Sequence, residues 1–374
     1  MEPEPRKAPL RFFEIDLLRF IAALSVVFYH YTSLGYSGSK FNPIPFPWLS
    51  HITCYGYLGV HLFFLISGYV VLLSVQGKTV RQFFLSRISR LYPAFWVACT
   101  ITYLVKCIWG PTGSETHMAA SLHAGLFQYA GNMTMLFGQL GITPLDGPYW
   151  SLTVEISFYF LIAVVMGFKL MRHMNWVLLI WLGYLALPGL DRQGTLFAAL
   201  LLPGYGPYFV AGMLFFLLQQ ANGFTRARCA MLVLAYLLAL RSAISEVTAD
   251  STGLHAYVSW HVVVLFITLF FVLFVLIALR KFNLSRFTWL KWPGALTYPL
   301  YLVHNDIAFI TFHRIGERID KYVLVGGTLV VMLLAAYLIH VLVEKRFGKT
   351  LAKQADNLLT KMEFLAFNKD KTLL

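Results

Sequence analysis

Residues 15–31 read IDLLRFIAALSVVFYHY. The stretch is apolar enough to enter a bilayer, yet it carries Asp16, Arg19 and His30. A charged side chain inside a membrane span costs roughly 3 kcal/mol on insertion scales and persists where it faces a cavity or a partner. Arg19 and His30 are eleven residues apart. At about 100° per residue, that is about three turns plus 20°. Asp16 falls on the same stripe and is placed to pair with Arg19 at i, i+3. At about 1.5 Å per residue, about 16 Å of axis separates Arg19 from His30. A guanidinium and an imidazole on one face, half a membrane apart, suit a long anionic ligand gripped at one end and worked on at the other.

The rest of the chain agrees with a membrane setting. Of 374 residues, 58% are hydrophobic and 13% charged, and the mean hydropathy is +0.67. A soluble domain is about one quarter charged. The sequence therefore reads as an all-α polytopic membrane protein with ten helices, at about 13–34, 55–76, 92–110, 149–168, 175–189, 204–219, 228–245, 256–280, 294–313 and 322–343. With the N-terminus inside, 22 of the 30 Lys and Arg fall on inner segments and six on outer ones, while Arg19 and Lys106 lie in spans. That bias predicts both termini in the cytoplasm. The net charge of +13 is then topological, and nucleic acid is not an expected partner. Arg314, Arg318 and Lys321 form one outer cluster against the rule.

Cys54, Cys99, Cys107 and Cys229 are scattered, without spacing for zinc or a disulfide framework, so no metal is expected. The first span lacks a small-residue cleavage site and reads as an uncleaved anchor. The chain divides into a membrane domain, residues 1–343, and a basic, partly amphipathic tail, residues 344–374, expected to lie on inner-leaflet lipids. The outer loop 111–148 contains no Lys or Arg and holds short apolar pieces at 122–129 and 133–140.

Five places carry candidate chemistry. His30, near the outer end of its helix, suits a general base on a hydroxyl; its plain alternative is an interior histidine bonded to a neighbouring helix. Glu155 lies in GPYWSLTVEISFYF at a similar depth, so a His30–Glu155 dyad is geometrically open. Tyr149 and Trp150 beside it suit sugar stacking or an interfacial aromatic belt. Arg87 and Arg90, in RISRLYP, share a helix face at the inner surface and have the guanidinium forks that suit phosphate, or they simply obey the positive-inside rule. In GYLGVHLFFLISGYVV, Gly59, Ser67 and Gly68 permit close helix approach, and His61 sits near the depth of His30. In LTYPLYLVHND, Pro299 should kink a helix that places His304, Asn305 and Asp306 deep in a span.

These motifs resemble the membrane-bound acyltransferase-3 family. IDLLRFIAALSVVFYH, GVHLFFLISGYVV, RISRLYP, WSLTVEISFYF and YPLYLVHN occur in the family's order between residues 15 and 305. The resemblance implies about ten helices with cytoplasmic termini. It also implies an O-acyltransferase of the inner (plasma) membrane that moves an acyl group, often acetyl, from cytoplasmic acyl-CoA to a hydroxyl of an envelope glycan or other outer-side acceptor. By the same resemblance, His30 is the catalytic histidine with Glu155 assisting, and Arg19, Arg87 and Arg90 handle the acyl-CoA. Tyr149, Trp150, His61, His304 and Asn305 are the expected acceptor contacts. Two departures stand out. Many members have an acidic residue where this chain has His61, and some carry an extracellular hydrolase-like domain that is not expected here. A transporter or flippase for a lipid-linked or glycan precursor, or a membrane scaffold, would use the same polar stripe without chemistry.

Overall fold

The computed structural model describes residues 11–34, 41–115, 117–187, 200–248 and 258–371. Every regular element among them is helical. In chain order they are α1 (Phe13–Thr32), α2 (Pro47–Thr53), α3 (Leu58–Ser74), α4 (Val80–Trp109), α5 (Leu126–Asn132), α6 (Trp150–Gly167) and α7 (Met174–Ala186). There follow α8 (Gly206–Gln219), α9 (Arg226–Thr248), α10 (Trp260–Ala278), α11 (Lys291–Val303), α12 (Asp306–Ile315), α13 (Lys321–Leu338) and α14 (Lys345–Lys371).

Six helical stretches among the described residues are long and apolar enough to cross a membrane: Pro47–Ser74, Val80–Trp109, Gly147–Gly167, Arg226–Thr248, Trp260–Ala278 and Lys321–Lys361. Ten were expected. The difference lies in helices that are short, such as α7 and α8, interrupted, as α11 and α12 are, or charged, as α1 is with Glu14, Asp16 and Arg19.

Helix α1 is the pivot of the bundle. Glu14 and Asp16 in its first turn and His30 in its last suit the helix dipole. It packs between α3 and α11. Gly59 of α3 lies against the Ala22 backbone of α1, and on the opposite face Gly68 lies against Phe209 of α8. A Cβ at either glycine would strike a carbonyl, so these contacts need the bare backbone. α11 runs alongside α1 with matched ends. Gly294 abuts Asp16 at the N-terminal end of α1, and His304 meets His30 at its C-terminal end.

Three boundaries differ from the sequence reading. α4 begins at Val80, not at residue 92, because Thr79 and Gln82 form a reciprocal capping box, with Gln82 N to Thr79 Oγ1 at 3.2 Å and Thr79 N to Gln82 Oε1 at 3.1 Å. RISRLYP therefore lies inside a 30-residue helix. The helix expected over 294–313 runs through Pro299 and breaks instead at His304–Asn305. The tail is a helix continuous with α13 through a π-helical segment, Ile339–Glu344. It docks on α4, where Arg81 binds Asp356 at 2.6 Å and Glu363 at 2.9 Å. Parts of the expected helices at 188–189 and 256–257 lie outside the described residues.

The outer loop is folded around α5 and pinned by the cluster that breaks the charge rule. Arg314 binds Glu115 at 2.6 and 3.0 Å and the carbonyls of Trp109 and Gly110, each at 2.8 Å. The Arg314 guanidinium and the Thr112 amide hold the Glu115 carboxyl down to about 2.

Candidate active site

At the C-terminal end of α1, His30 Nδ1 lies 2.9 Å from His304 Nε2. His304 is fully buried, at 0% exposure. It sits where α11 stops, and the carbonyls of a helix's last turn need partners from outside the helix. Side chains supply them. His304 Nδ1 donates to the Tyr301 carbonyl at 2.8 Å, the Tyr149 hydroxyl to that of Leu302 at 3.1 Å, and the Tyr31 hydroxyl to that of His304 itself at 2.8 Å. The break is thus stitched closed from α1, from the start of α6 and from its own imidazole.

Behind His304 lies a buried polar cluster. Asn305 Nδ2 donates to Asp146 Oδ1 at 3.2 Å and to Asp306 Oδ1 at 2.6 Å, and the Asp306 amide donates to Asp146 Oδ1 at 3.3 Å. Lys106 pairs with Asp306 Oδ2 at 2.6 Å and donates to the Ser121 carbonyl at 2.7 Å. Burial and the adjacent Asp306 carboxylate push the Asp146 carboxyl well above the usual carboxylate range.

The inner end of α1 is different. Arg19 and Arg90 line a cavity of about 460 Å³ with Arg11, Asp16, Tyr298, His340 and Glu344. Arg11 Nε binds Asp16 at 2.6 Å, so the bonded partner of Asp16 is Arg11 and not Arg19. Arg19 Nε is buried without a hydrogen-bond partner among the described residues. His340 and Glu344 come from the π-helical segment, a local distortion that often marks functional sites. The lining of this cavity ends at Arg19, Val70 and Tyr298 and does not include His30.

Arg87 and Arg90 are parted. Arg90 faces the cavity, whereas Arg87 is buried with Nη2 at 3.2 Å from Ser74 Oγ and its guanidinium carbon 5.4 Å from the rings of both Phe83 and Tyr159. Glu155 accepts from Ser67 Oγ at 3.0 Å and from the Tyr159 hydroxyl, and its charge acts on Arg19. The structure therefore bonds Glu155 to Ser67 and Tyr159 and gives His30 a histidine partner.

A profile described as an acyltransferase domain matches residues 12–347. The chain belongs to the acyltransferase-3 family. It is similar to nodulation protein 10 of Rhizobium leguminosarum bv. viciae, 29% identical over 164 residues, which are 40% of this chain and 43% of that protein. It is also similar to the O-acetyltransferase OatA of Staphylococcus aureus, 28% identical over 169 residues, which are 42% of this chain and 25% of OatA. The chain thus spans less than half the length of either relative in these matches. No solved structure matches it significantly.

The remaining expected site residues take distinct places. Trp150 is 39% exposed and leans on Tyr205 with ring centroids 5.3 Å apart. Tyr149 is fully buried as the strut to Leu302. His61 is buried on another face of α3, bonded to Glu246 at 3.0 Å and edged by Tyr208 at 5.0 Å. A carboxylate thus reaches His61 from α9, which no spacing in the sequence indicated. Lys106, Asp146, His340 and Glu344 were also missed as site neighbours. Only Lys106 carried a signal: an ammonium inside an apolar helix requires a buried acid, and Asp306 supplies it.

Proposed function

We propose that this protein is an integral-membrane O-acyltransferase that moves an acyl group, acetyl by analogy with OatA, from cytoplasmic acyl-CoA to a hydroxyl of an envelope glycan or other outer-side acceptor. The observation that carries the reading is the polarity of α1: one helix holds Arg19 in a cationic cavity at one end and His30 in a hydrogen-bonded pair at the other. The reading places the protein in the inner membrane with ten crossings and both termini inside, in keeping with the Lys and Arg distribution.

In this mechanism Arg90 and Arg19 hold donor phosphates at the inner cavity, with Arg87 adding charge from behind its aromatic rings. Glu155, held by Ser67 and Tyr159, positions the Arg19 guanidinium. The pantetheine arm extends along α1, whose about 16 Å between Arg19 and His30 is comparable to its reach. His30 removes the proton from the acceptor hydroxyl as that oxygen attacks the thioester carbonyl. The C–S bond breaks, the acceptor keeps the acyl group, and the departing thiolate takes the proton back from His30. Trp150, the open aromatic of the outer mouth, offers a stacking face for a sugar; Tyr149, His61, His304 and Asn305 shape that region from the buried side. Purified protein supplied with radiolabelled acetyl-CoA and glycan fragments tests the reading. Label should pass to the glycan, and free CoA should appear in equal amount. Glycan movement across a vesicle with no label transferred would instead support transport.

A further inference from the structure

Two imidazoles joined by one hydrogen bond share a single bridging proton, so one nitrogen donates and the other accepts. His30 Nδ1 and His304 Nε2 form such a bond at 2.9 Å. The surroundings of His304 decide its direction. His304 Nδ1 lies 2.8 Å from the Tyr301 carbonyl. Carbonyl oxygens only accept, so this nitrogen carries a hydrogen. If His304 is neutral, its Nε2 is bare. The other possibility is a doubly protonated His304, which would place a full charge on a residue with 0% exposure. Among the described residues no carboxylate is bonded to its ring: Asp306 is taken by Lys106 and Asn305, and Asp146 by Asn305 and the Asp306 amide. An unpaired buried charge is strongly disfavoured. His304 is therefore neutral and protonated on Nδ1. The bond then requires His30 to donate through Nδ1, which leaves the lone pair on His30 Nε2.

We infer that His304 is a positioning residue that fixes the tautomer of His30, and that Nε2 is the atom of His30 that takes the acceptor's proton. The inference deepens the proposed reaction and rests on it only for the role of His30. When Nε2 gains a proton, Nδ1–H stays bonded to His304, and the new charge faces a chain of dipoles: His304 Nε2, then His304 Nδ1–H, then the carbonyl end of α11. The C-terminus of a helix is its negative end, so the imidazolium is stabilised without a buried carboxylate. No proton passes between the two rings. Tyr31, through its bond to the His304 carbonyl, holds the accepting ring in place.

Nitrogen-15 NMR of the full chain, labelled at histidine and held in lipid nanodiscs, tests this without turnover. Wild-type His30 should appear neutral, with Nδ1 protonated and Nε2 bare. In His304→Ala it should revert to the Nε2-protonated form that free histidine side chains favour, and kcat should fall about 10- to 100-fold, as for other residues that orient a reacting group, with KM for the donor unchanged. His304→Gln, whose side-chain oxygen can accept from Nδ1, should keep the wild-type tautomer and recover much of kcat. A wild-type His30 protonated on Nε2 would overturn the inference, as would a His304→Ala variant with tautomer and kcat unaltered. If the tautomer is as inferred but the wild-type protein transfers no acyl group, the transferase reading fails and the assignment of His304 stands.

Discussion

The two ends of α1 solve opposite problems. The inner end is open and heavily charged: Arg11, Arg19, Arg90, Asp16 and Glu344 face one cavity, and Arg19 Nε keeps an unused hydrogen. The C-terminal end is closed and built from hydrogen bonds around His30 and His304, with the Lys106–Asp306 ion pair set behind the histidines. Between them Ala23 and Val26, at 0% and 1% exposure, fill the stripe that connects Arg19 to His30. The contrast separates binding from chemistry. Under the proposed reaction, charge stands where it can meet phosphates in water, and the base stands where little else can exchange a proton with it. A donor arm that links the two must, under the proposed reaction, displace this packing along α1.

The contrast can be broken from either side. The largest effect is expected at the outer end, where His30→Ala should lower kcat about 100- to 10,000-fold, the range for loss of a general base, while donor affinity measured by calorimetry stays within about twofold. The buried pair comes next. Lys106→Met should destabilise the protein by about 3–5 kcal/mol, because Asp306 is left charged and unpaired. Adding Asp306→Asn should restore most of that loss in a denaturation series. At the inner end, Arg90→Ala should raise the donor KM about 10- to 30-fold, the worth of one charge-assisted hydrogen bond, with kcat little changed. Arg90→Lys should recover only part, since an ammonium lacks the guanidinium fork. The smallest effect concerns the Arg314 pin. The Glu115 carboxyl is held down to about 2, below its ordinary unfolded value, so its contribution is full at neutral pH and is lost as pH falls through that folded value. Hydrogen exchange of residues 111–115 should therefore quicken only in strong acid, and Glu115→Gln should show the quick exchange already at pH 7.

Much of this was legible in the sequence because charges in apolar helices have few explanations. Arg19 and His30 marked α1 as unusual, and the order of five motifs indicated the family; RISRLYP pointed to a guanidinium pair that the structure parts, with Arg90 on the cavity and Arg87 buried against Phe83 and Tyr159. What escaped depended on long-range pairing. The spacing put His30 and Glu155 at similar depths and left a dyad open, but the structure bonds Glu155 to Ser67 and Tyr159, toward the Arg19 end of α1 and away from His30. Pro299 marked α11 as irregular without locating the break, which follows from tertiary bonds to His304 and Leu302. The helical start of α4 at Val80 could have been read from Thr79 and Gln82, since a capping box is local. The charged surface of 80–90 masked it.

The central claim is that donor and acceptor meet through α1 from opposite faces of the membrane. Proteoliposomes of known orientation, given labelled acetyl-CoA on the cytoplasmic side alone and a glycan acceptor on the other side alone, test it directly. The account predicts label on the glycan, loss of that transfer in His30→Ala, and retained donor binding in the same variant. Acylation confined to acceptor on the donor's side, or transfer that persists without the His30 imidazole, would contradict it.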